Sequence, residues 1–430
     1  MLDIERIRND PEGVRQNLAR RRNELYLKQF TELLAIDRDW RKAQQDASDL
    51  RRQRNAIARE FSEAKKAGKA TDGLARQAEA IPAQLTELEA REAVFEARRR
   101  ELLMALPNLL DDSVPYGKDD TENQVAREWG ERREAPKDLP PHGEFLESHQ
   151  MGDFERARKV SGAGFYYLEG PMVLLDMAVQ RFAMDLLVRK GFTPVIPPYM
   201  LRRAPYEGVT DLADFENVMY RIEGEDLYLI ATSEHPIAAL FMGEILEEDR
   251  LPLRWAGISP CFRKEIGGHG VDQKGAFRVH QFHKIEQFVF CQPEDSPRIH
   301  EELLSNAEEF LQRLGLAYRV VNVCTGDLGV VAAKKYDIEG WFPRQKQYRE
   351  LVSCSNCTDY QARRLGIRTG KHGKPGKGVP HTLNSTMVAT PRTLVALVES
   401  FATEDGRIGI PEVLRPYLGG LHELPAPVAR

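Results

Sequence analysis

The chain has 430 residues, 42% hydrophobic and 30% charged, with a net charge of −5. It is too long for one ordinary domain and too regular in composition for a disordered chain. No stretch approaches the roughly 20 consecutive apolar residues of a membrane span, and the opening MLDIERIRND has no apolar signal region, so a cytoplasmic protein is expected. Five cysteines without framework spacing fit a reducing compartment. The overall negative charge hides a basic first quarter, where Arg20, Arg21, Arg22, Arg51, Arg52, Arg54, Arg98, Arg99 and Arg100 cluster. An RNA partner would bind there.

From Ile36 the apolar and small residues recur as Ile36, Trp40, Ala43, Ala47, Leu50, Ile57, Phe61 and Ala64, a helical seam interrupted by Arg54. After the break AGKATDG a second series follows at sevenfold spacing: Leu74, Ile81, Leu88, Phe95 and Leu102. Two long helices joined by a short turn must run antiparallel and bury both seams against each other, with a reach of roughly 45–55 Å at 1.5 Å per residue. On periodicity alone such a coiled coil could serve oligomerisation, but the basic residues outside the seam favour a nucleic-acid arm. Pro82 inside the second series predicts a kink or a fresh helix start. Leu106 and Pro107 end the arm, so residues 1–110 form a helical arm and 111–165 a turn-rich linker. From 166 to 430 strand-like and helical patterns mix, which predicts one α+β domain.

Within that domain, residues 176–190 read as an amphipathic helix closed by Gly191 and followed by the extended FTPVIPPYM. The stretch CFRKEIGGHGVDQKGAFRVHQFHKIEQFVF, from Cys261 to Phe290, reads as two strands around a Gly-rich tip. Alternation puts Arg278, His280, Phe282, Lys284 and Glu286 on one face. Cations, a ring and a carboxylate at period two suit a nucleotide site, although a solvated sheet face has the same pattern.

These segments resemble the class II aminoacyl-tRNA synthetases in their seryl version. Cys261 to Phe290 is similar to motif 2, FTPVIPPYM to the end of motif 1, and HTLNSTMVATPRTLVALVES, from His381 to Ser400, to motif 3. YRELVSCSNCTDYQARR, from Tyr348 to Arg364, and ATSEHPIAAL, from Ala231 to Leu240, are similar to further seryl-specific segments. The resemblance implies a class II antiparallel sheet flanked by helices, an N-terminal hairpin that binds tRNA, and a homodimer. It implies ATP-dependent activation of L-serine and transfer to the 3′ end of serine tRNA, with selenocysteine tRNA as a further acceptor.

It also implies roles for matching positions. Arg263, Glu286 and Arg392 would be catalytic. ATP would be bound by Arg263 at the α-phosphate, Glu265 on the adenine side, Phe282 stacked on the base and Arg392 at the γ-phosphate, with Lys264, Arg278, Val279, Leu351 and Val352 completing the site. Glu350 and Ser353 would hold Mg²⁺ with the phosphates. Thr232, Ser233, Glu234, Glu286 and Thr386 would form the serine pocket, supported by Asn384. Losing the partner of the substrate hydroxyl would reject alanine, because a buried acceptor is left unpaired, whereas threonine must be excluded by crowding.

Two motifs mislead. GKHGKPGKG, from Gly370 to Gly378, lacks the Ser or Thr that a Walker loop needs after its Gly-Lys, and Cys354-Ser355-Asn356-Cys357 has no second pair to complete a zinc site. Relative to the common bacterial motif 2 loop, Val271 and Gln273 stand where arginine and threonine are usual. Lys274 keeps one cation nearby, which predicts altered tRNA preference; a Lys274→Ala variant that charges tRNA at the normal rate would contradict this.

Overall fold

The computed structural model describes residues 1–210, 217–264, 275–371, 374, 376 and 378–424. The chain divides into two compact units, Met1–Pro107 and Asn108–Arg430. The first is all helical: α1 (Ile4–Asn9), α2 (Pro11–Ala19), α3 (Glu24–Lys66), α4 (Asp72–Glu79) and α5 (Ile81–Ala105). The side chains of Asp3, Asp10 and Asn23 accept from the free N–H groups that open α1, α2 and α3. Pro82 stands in the first turn of α5, so the fresh helix start is what occurs; a first-turn proline sacrifices no hydrogen bond.

The expected seam is present but thin. Ala43, Ala47 and Ile57 of α3 are buried, as are Ile81, Leu85, Leu102 and Leu103 of α5. Leu85 fills the second apolar position of its heptad, which a strict sevenfold series passes over. Polar cross-links complete the hairpin: Arg51 meets Glu89 at 2.8 Å, Gln44 meets Glu92 at 3.0 Å, and Arg98 meets Glu32 at 2.7 Å.

Near the root of the hairpin the seam carries a charge. Asp37 is buried and takes two bonds from the Arg8 guanidinium, at 2.8 and 2.9 Å, with Arg99 at 3.3 Å. Arg99 in turn lies 3.7 Å from the Trp40 ring centroid. Burial alone would push the Asp37 carboxyl up, but the bonds from Arg8 and Arg99 and the charge of Arg41 outweigh it and hold it below the usual range. This contribution is fully present above the ordinary carboxylate pKa and is lost as pH falls through the lowered value. Asp37→Ala leaves the partly buried Arg8 and Arg99 with only their outer partners Glu5 and Glu96 and is expected to destabilise the arm by about 1–3 kcal/mol, measured by urea denaturation of the whole chain at pH 7.

The second unit is built on an eight-stranded sheet. Its strands are β1 (Gln124–Trp129), β2 (Thr193–Val195), β3 (Leu253–Phe262), β4 (Gln281–Cys291), β5 (Tyr318–Asn322), β6 (Lys334–Phe342), β7 (Gln347–Thr358) and β8 (His381–Ala389), in the spatial order β1-β5-β6-β7-β8-β4-β3-β2. Every neighbouring pair is antiparallel except the edge pair β2 and β3. The expected α+β class and antiparallel platform are therefore present. The stretch from 111 to 165, read from sequence as a linker, contributes β1 and the short helices His142–Ser148 and Phe154–Ser161 to this unit. All six residues of β1 are exposed, so no burial alternation marks it in the sequence.

One face of the sheet is covered by α6 (Pro171–Arg189), α8 (Ser296–Leu314) and α10 (Thr390–Phe401). Their buried stripes recur at helical spacing, in α8 as Ile299, Leu303, Leu304, Ala307, Phe310, Leu311 and Leu314. They pack with Ile285, Val289, Ile338, Leu383 and Met387 of the strands into the main core. Helix α6 begins five residues before the expected Asp176, because Pro171 opens it after Gly170 at φ 53°. The other face of the sheet is left for a cleft of about 460 Å³.

Candidate functional site

The cleft floor comes from β4, β7 and β8, where alternate side chains point to one face. From β4 these are Phe282, Lys284 and Glu286; from β8, Asn384 and Thr386. Arg263, just beyond β3, reaches over the floor with its guanidinium 5.4 Å from the Phe282 ring centroid, and its Nε donates to the Ala231 carbonyl at 3.2 Å. The sequence pattern carried this face back to Arg278 and His280, but β4 starts at Gln281. Arg278 still lines the cleft, whereas His280 turns aside: its Nδ1 lies 2.8 Å from both the Tyr220 hydroxyl and the Arg263 carbonyl.

At one end of the cleft the short helix α7 (Glu234–Ala238) points its first residue inward. Gln361, on the short helix α9 (Tyr360–Leu365), and Asn384 both donate to Glu234 Oε1, at 3.2 and 3.0 Å. Burial, reinforced by the nearby charge of Glu286, pushes the Glu234 carboxyl up to about 7 against the pull of Lys284. Glu286 is ion-paired with Lys284, whose ammonium also donates to Thr232 Oγ1 at 3.2 Å; burial raises the Glu286 pKa as well. Neighbouring His235, buried and bonded to the Tyr206 hydroxyl at 3.0 Å, is driven down to about 3 by that burial and stays neutral. Two acids, two hydroxyls and one lysine thus surround a small polar pocket, suited to an ammonium and a hydroxyl.

Gly257 sets the depth of α7. It pairs with Glu286 across the sheet, and a Cβ there would meet Ser233 Oγ at 2.5 Å and Ile237 Cδ1 at 2.6 Å. Gly257→Ala is expected to lift α7, cost about 1–3 kcal/mol of stability and raise the KM for the small polar substrate; thermal melts and substrate titration check it.

The other end of the cleft is cationic. Arg392, in the first turn of α10, donates to the Glu350 carbonyl at 2.9 Å and lies 3.4 Å from its carboxylate, with its guanidinium 5.1 Å from the Phe277 ring centroid. Enclosure by the cleft opposes ionisation of the Glu350 carboxyl even though its side chain is about half exposed, 48%, yet Arg392, Lys335 and Arg263 outweigh it and keep the pKa low. Lys335 pairs with Asp337 at 3.1 Å. A β-bulge makes this end possible: Val352 faces Ile338 and Glu350 faces Glu339, so Leu351 is an extra residue on β7. Glu350 and Ser353, three apart on a strand, both reach the cleft because of it. Cys357, in phase with Ser353 and Ser355, also lines the cleft, and a second bulge makes it an extra residue in the ladder with β8. Thr358, which follows, has φ 49°, a left-handed conformation that costs a β-branched residue about 1–3 kcal/mol.

Of the residues singled out from sequence, Thr232, Glu234, Arg263, Arg278, Val279, Phe282, Glu286, Glu350, Leu351, Ser353, Asn384, Thr386 and Arg392 line this one cleft. Three side chains lie elsewhere. Ser233 is fully buried beside Gly257, Val352 faces the main core, and the Lys264 ammonium lies 5.8 Å from the Tyr220 ring centroid. Glu265, Val271, Gln273 and Lys274 lie outside the described residues. Lys335 lines the cleft without any sequence signal, since a lone residue on a strand shows no pattern; Gln361 and Cys357 fall within the Tyr348–Arg364 segment singled out from sequence, but nothing in its local pattern gave either one a place at the cleft. All five cysteines are free and buried; Cys354 packs in the core while Cys357 faces the cleft.

The family model for the tRNA synthetase class II core domain (G, H, P, S and T) matches residues 217–401, and that for the seryl-tRNA synthetase N-terminal domain matches residues 1–110. The serine–tRNA ligase of Methanocella arvoryzae is 59% identical, covering 99% of this chain and 100% of that protein; that of Methanoculleus marisnigri is 56% identical over 99% and 100%. Among solved structures, seryl-tRNA synthetase from Pyrococcus horikoshii complexed with ATP superposes with a TM-score of 0.95 at 47% identity, covering 100% of both chains. Cytoplasmic serine–tRNA ligase from Naegleria fowleri in complex with AMP superposes at 0.90 with 34% identity, covering 99% of each. With these matches over both units, the chain belongs to the seryl-tRNA synthetases and is a class II enzyme, a serine–tRNA ligase.

Proposed function

We propose that this one cleft performs both steps of serylation and that the residues gathered there act as follows. ATP lies along the floor, its adenine on Phe282 beside Val279, its α-phosphate against Arg263 and its γ-phosphate at Arg392. Serine occupies the pocket of Thr232, Glu234, Glu286, Asn384 and Thr386, with its ammonium and hydroxyl on the two acids. The serine carboxylate is already a nucleophile, so no protein base is required. It attacks the α-phosphorus, the bond to the bridging oxygen breaks, and pyrophosphate leaves; positioning and cations supply the catalysis. A terminal adenosine hydroxyl of tRNA then attacks the seryl carbonyl and AMP departs. The observation that carries this reading is the separation of Glu234 and Glu286 at one end of the cleft from Arg392 at the other, with Arg263 close to both.

Glu350 and Ser353 present hard oxygen donors at the cationic end and fit a Mg²⁺ ion entering with the triphosphate. When bound, it would neutralise phosphate charge. The arm, with Arg51, Arg52 and Arg54 exposed on α3, supplies the grip on serine tRNA. Homodimerisation is supported by an apolar stripe on α6, where Val173, Leu174 and Met177 stand exposed at 36%, 54% and 60% opposite the buried face. Leu174→Arg is expected to shift the mass in sedimentation from two chains to one. Among the described residues no helix is long and apolar enough to cross a membrane, which fits action in the cytoplasm.

The test is serine-dependent pyrophosphate exchange followed by charging of serine tRNA; selenocysteine tRNA is offered in the same assay. Exchange without charging points to a non-tRNA acceptor, and absence of exchange overturns the reading. The ionisation of Glu234 gives a further check. An ammonium binds the carboxylate form, so the serine KM is expected to fall as pH rises through about 7 while the ATP KM stays level.

A further inference from the structure

The larger unit begins at Asn108, a residue outside the chemistry assigned above. Its side chain is buried and fully engaged. Nδ2 donates to the Val331 carbonyl at 3.0 Å and the Cys357 carbonyl at 2.8 Å, while Oδ1 accepts from the Leu109 N–H at 2.9 Å. The Asn108 backbone N–H donates to the Val330 carbonyl at 2.8 Å. Thr358 Oγ1 lies 3.1 Å from Nδ2 and donates to the same Cys357 carbonyl at 2.8 Å. The alternative amide orientation would set oxygen against two carbonyl oxygens, so the bonds fix the donor's place.

What Asn108 holds is the serine end of the cleft. Val330, Val331 and Cys357 all line the cleft. Further along, the Asp111 N–H donates to the Ala333 carbonyl at 3.0 Å and the Ala333 N–H to the Asn356 carbonyl at 2.8 Å, so residues 108–111 splint the wall formed by 330–333. The corner they brace is strained: Cys357 is an extra residue in the β7 and β8 ladder, and Thr358 has φ 49°. Such backbone persists only where its surroundings over-determine it. From this corner the link to the pocket is short, because Asn384 Nδ2 lies 3.6 Å from Cys357 Sγ and 3.0 Å from Glu234 Oε1. Glu350 and Arg392 sit at the opposite end of β7 from this corner.

We propose that Asn108 is a positioning residue for the serine pocket: it fixes the Cys357–Thr358 corner and thereby aims Asn384 and Glu234. This rests on the reading of Glu234 and Asn384 as serine-holding groups. A purely structural role would lower stability and the active fraction while leaving both Michaelis constants alone. Positioning splits them.

The test is pyrophosphate exchange by the full chain, with serine and ATP varied separately. Asn108→Ala is expected to raise the serine KM about tenfold or more with the ATP KM within about twofold. An unchanged serine KM, or a parallel rise in both constants, overturns the proposal. If Asn108→Ala does not fold, Thr358→Val decides, since it removes one hydroxyl from the same corner: a serine KM raised about threefold supports the proposal and an unchanged one overturns it. Should the wild-type chain show no serine-dependent exchange, the failure belongs to the serine reading and not to Asn108.

Discussion

Glu286→Gln is expected to reduce serine-dependent pyrophosphate exchange by about 10³-fold or more, chiefly through serine binding. Glu286 is 1% exposed, paired with Lys284 and bonded by Thr232. Glutamine keeps the volume but changes two things. It removes the charge that balances Lys284, and it presents an N–H₂ where the substrate hydroxyl would donate, so a buried group is left unmatched. ATP affinity, measured without serine, is expected to stay within about threefold because Arg263 and Arg392 are untouched. Normal serine activation by the Glu286→Gln enzyme would remove the carboxylate from the pocket assignment. Lys284→Met in the same assay separates lost charge balance from a lost hydroxyl partner.

Arg263→Ala is expected to cost about 10²–10³-fold in the activation step, with most of the loss in kcat. Its guanidinium lies over the Phe282 ring and is held by the Ala231 carbonyl, so it is fixed before any phosphate arrives. Charge at the α-phosphorus grows in the transition state, and a fixed cation there favours that state over bound ATP. A loss confined to the ATP KM would instead mark Arg263 as a ground-state contact. Single-turnover formation of the adenylate, followed at saturating serine and ATP, distinguishes the two.

Much of the site could be located before any coordinates. Periodicity alone marked β3 and β4 as paired strands, because a half-buried strand repeats its polarity every second residue, and Phe282, Lys284 and Glu286 followed that rule into the cleft. The same rule failed two residues upstream. His280 lies before the first ladder position and turns to Tyr220. The arm's helices followed from their 3-4 spacing, and Pro82 marked the start of α5.

The remainder was decided by tertiary structure, for a definable reason. Local pattern states which face a residue takes within one element; it says nothing about which residues from distant elements share a space. The bulge at Leu351 brings Glu350 and Ser353 to one side of β7 against the two-residue period, and a bulge is a property of the ladder between two strands. Lys335, Gln361 and Asn108 reach the cleft or its wall from separate segments, each an ordinary polar residue in its own neighbourhood. Strand β1 joins the sheet with every side chain exposed, so only its backbone pairing with β5 reveals it. Composition, periods and motif residues were thus legible one dimension at a time, whereas the pairing of Glu234 with Asn384 and of Lys284 with Thr232 arose only when register and packing set those side chains within hydrogen-bond reach.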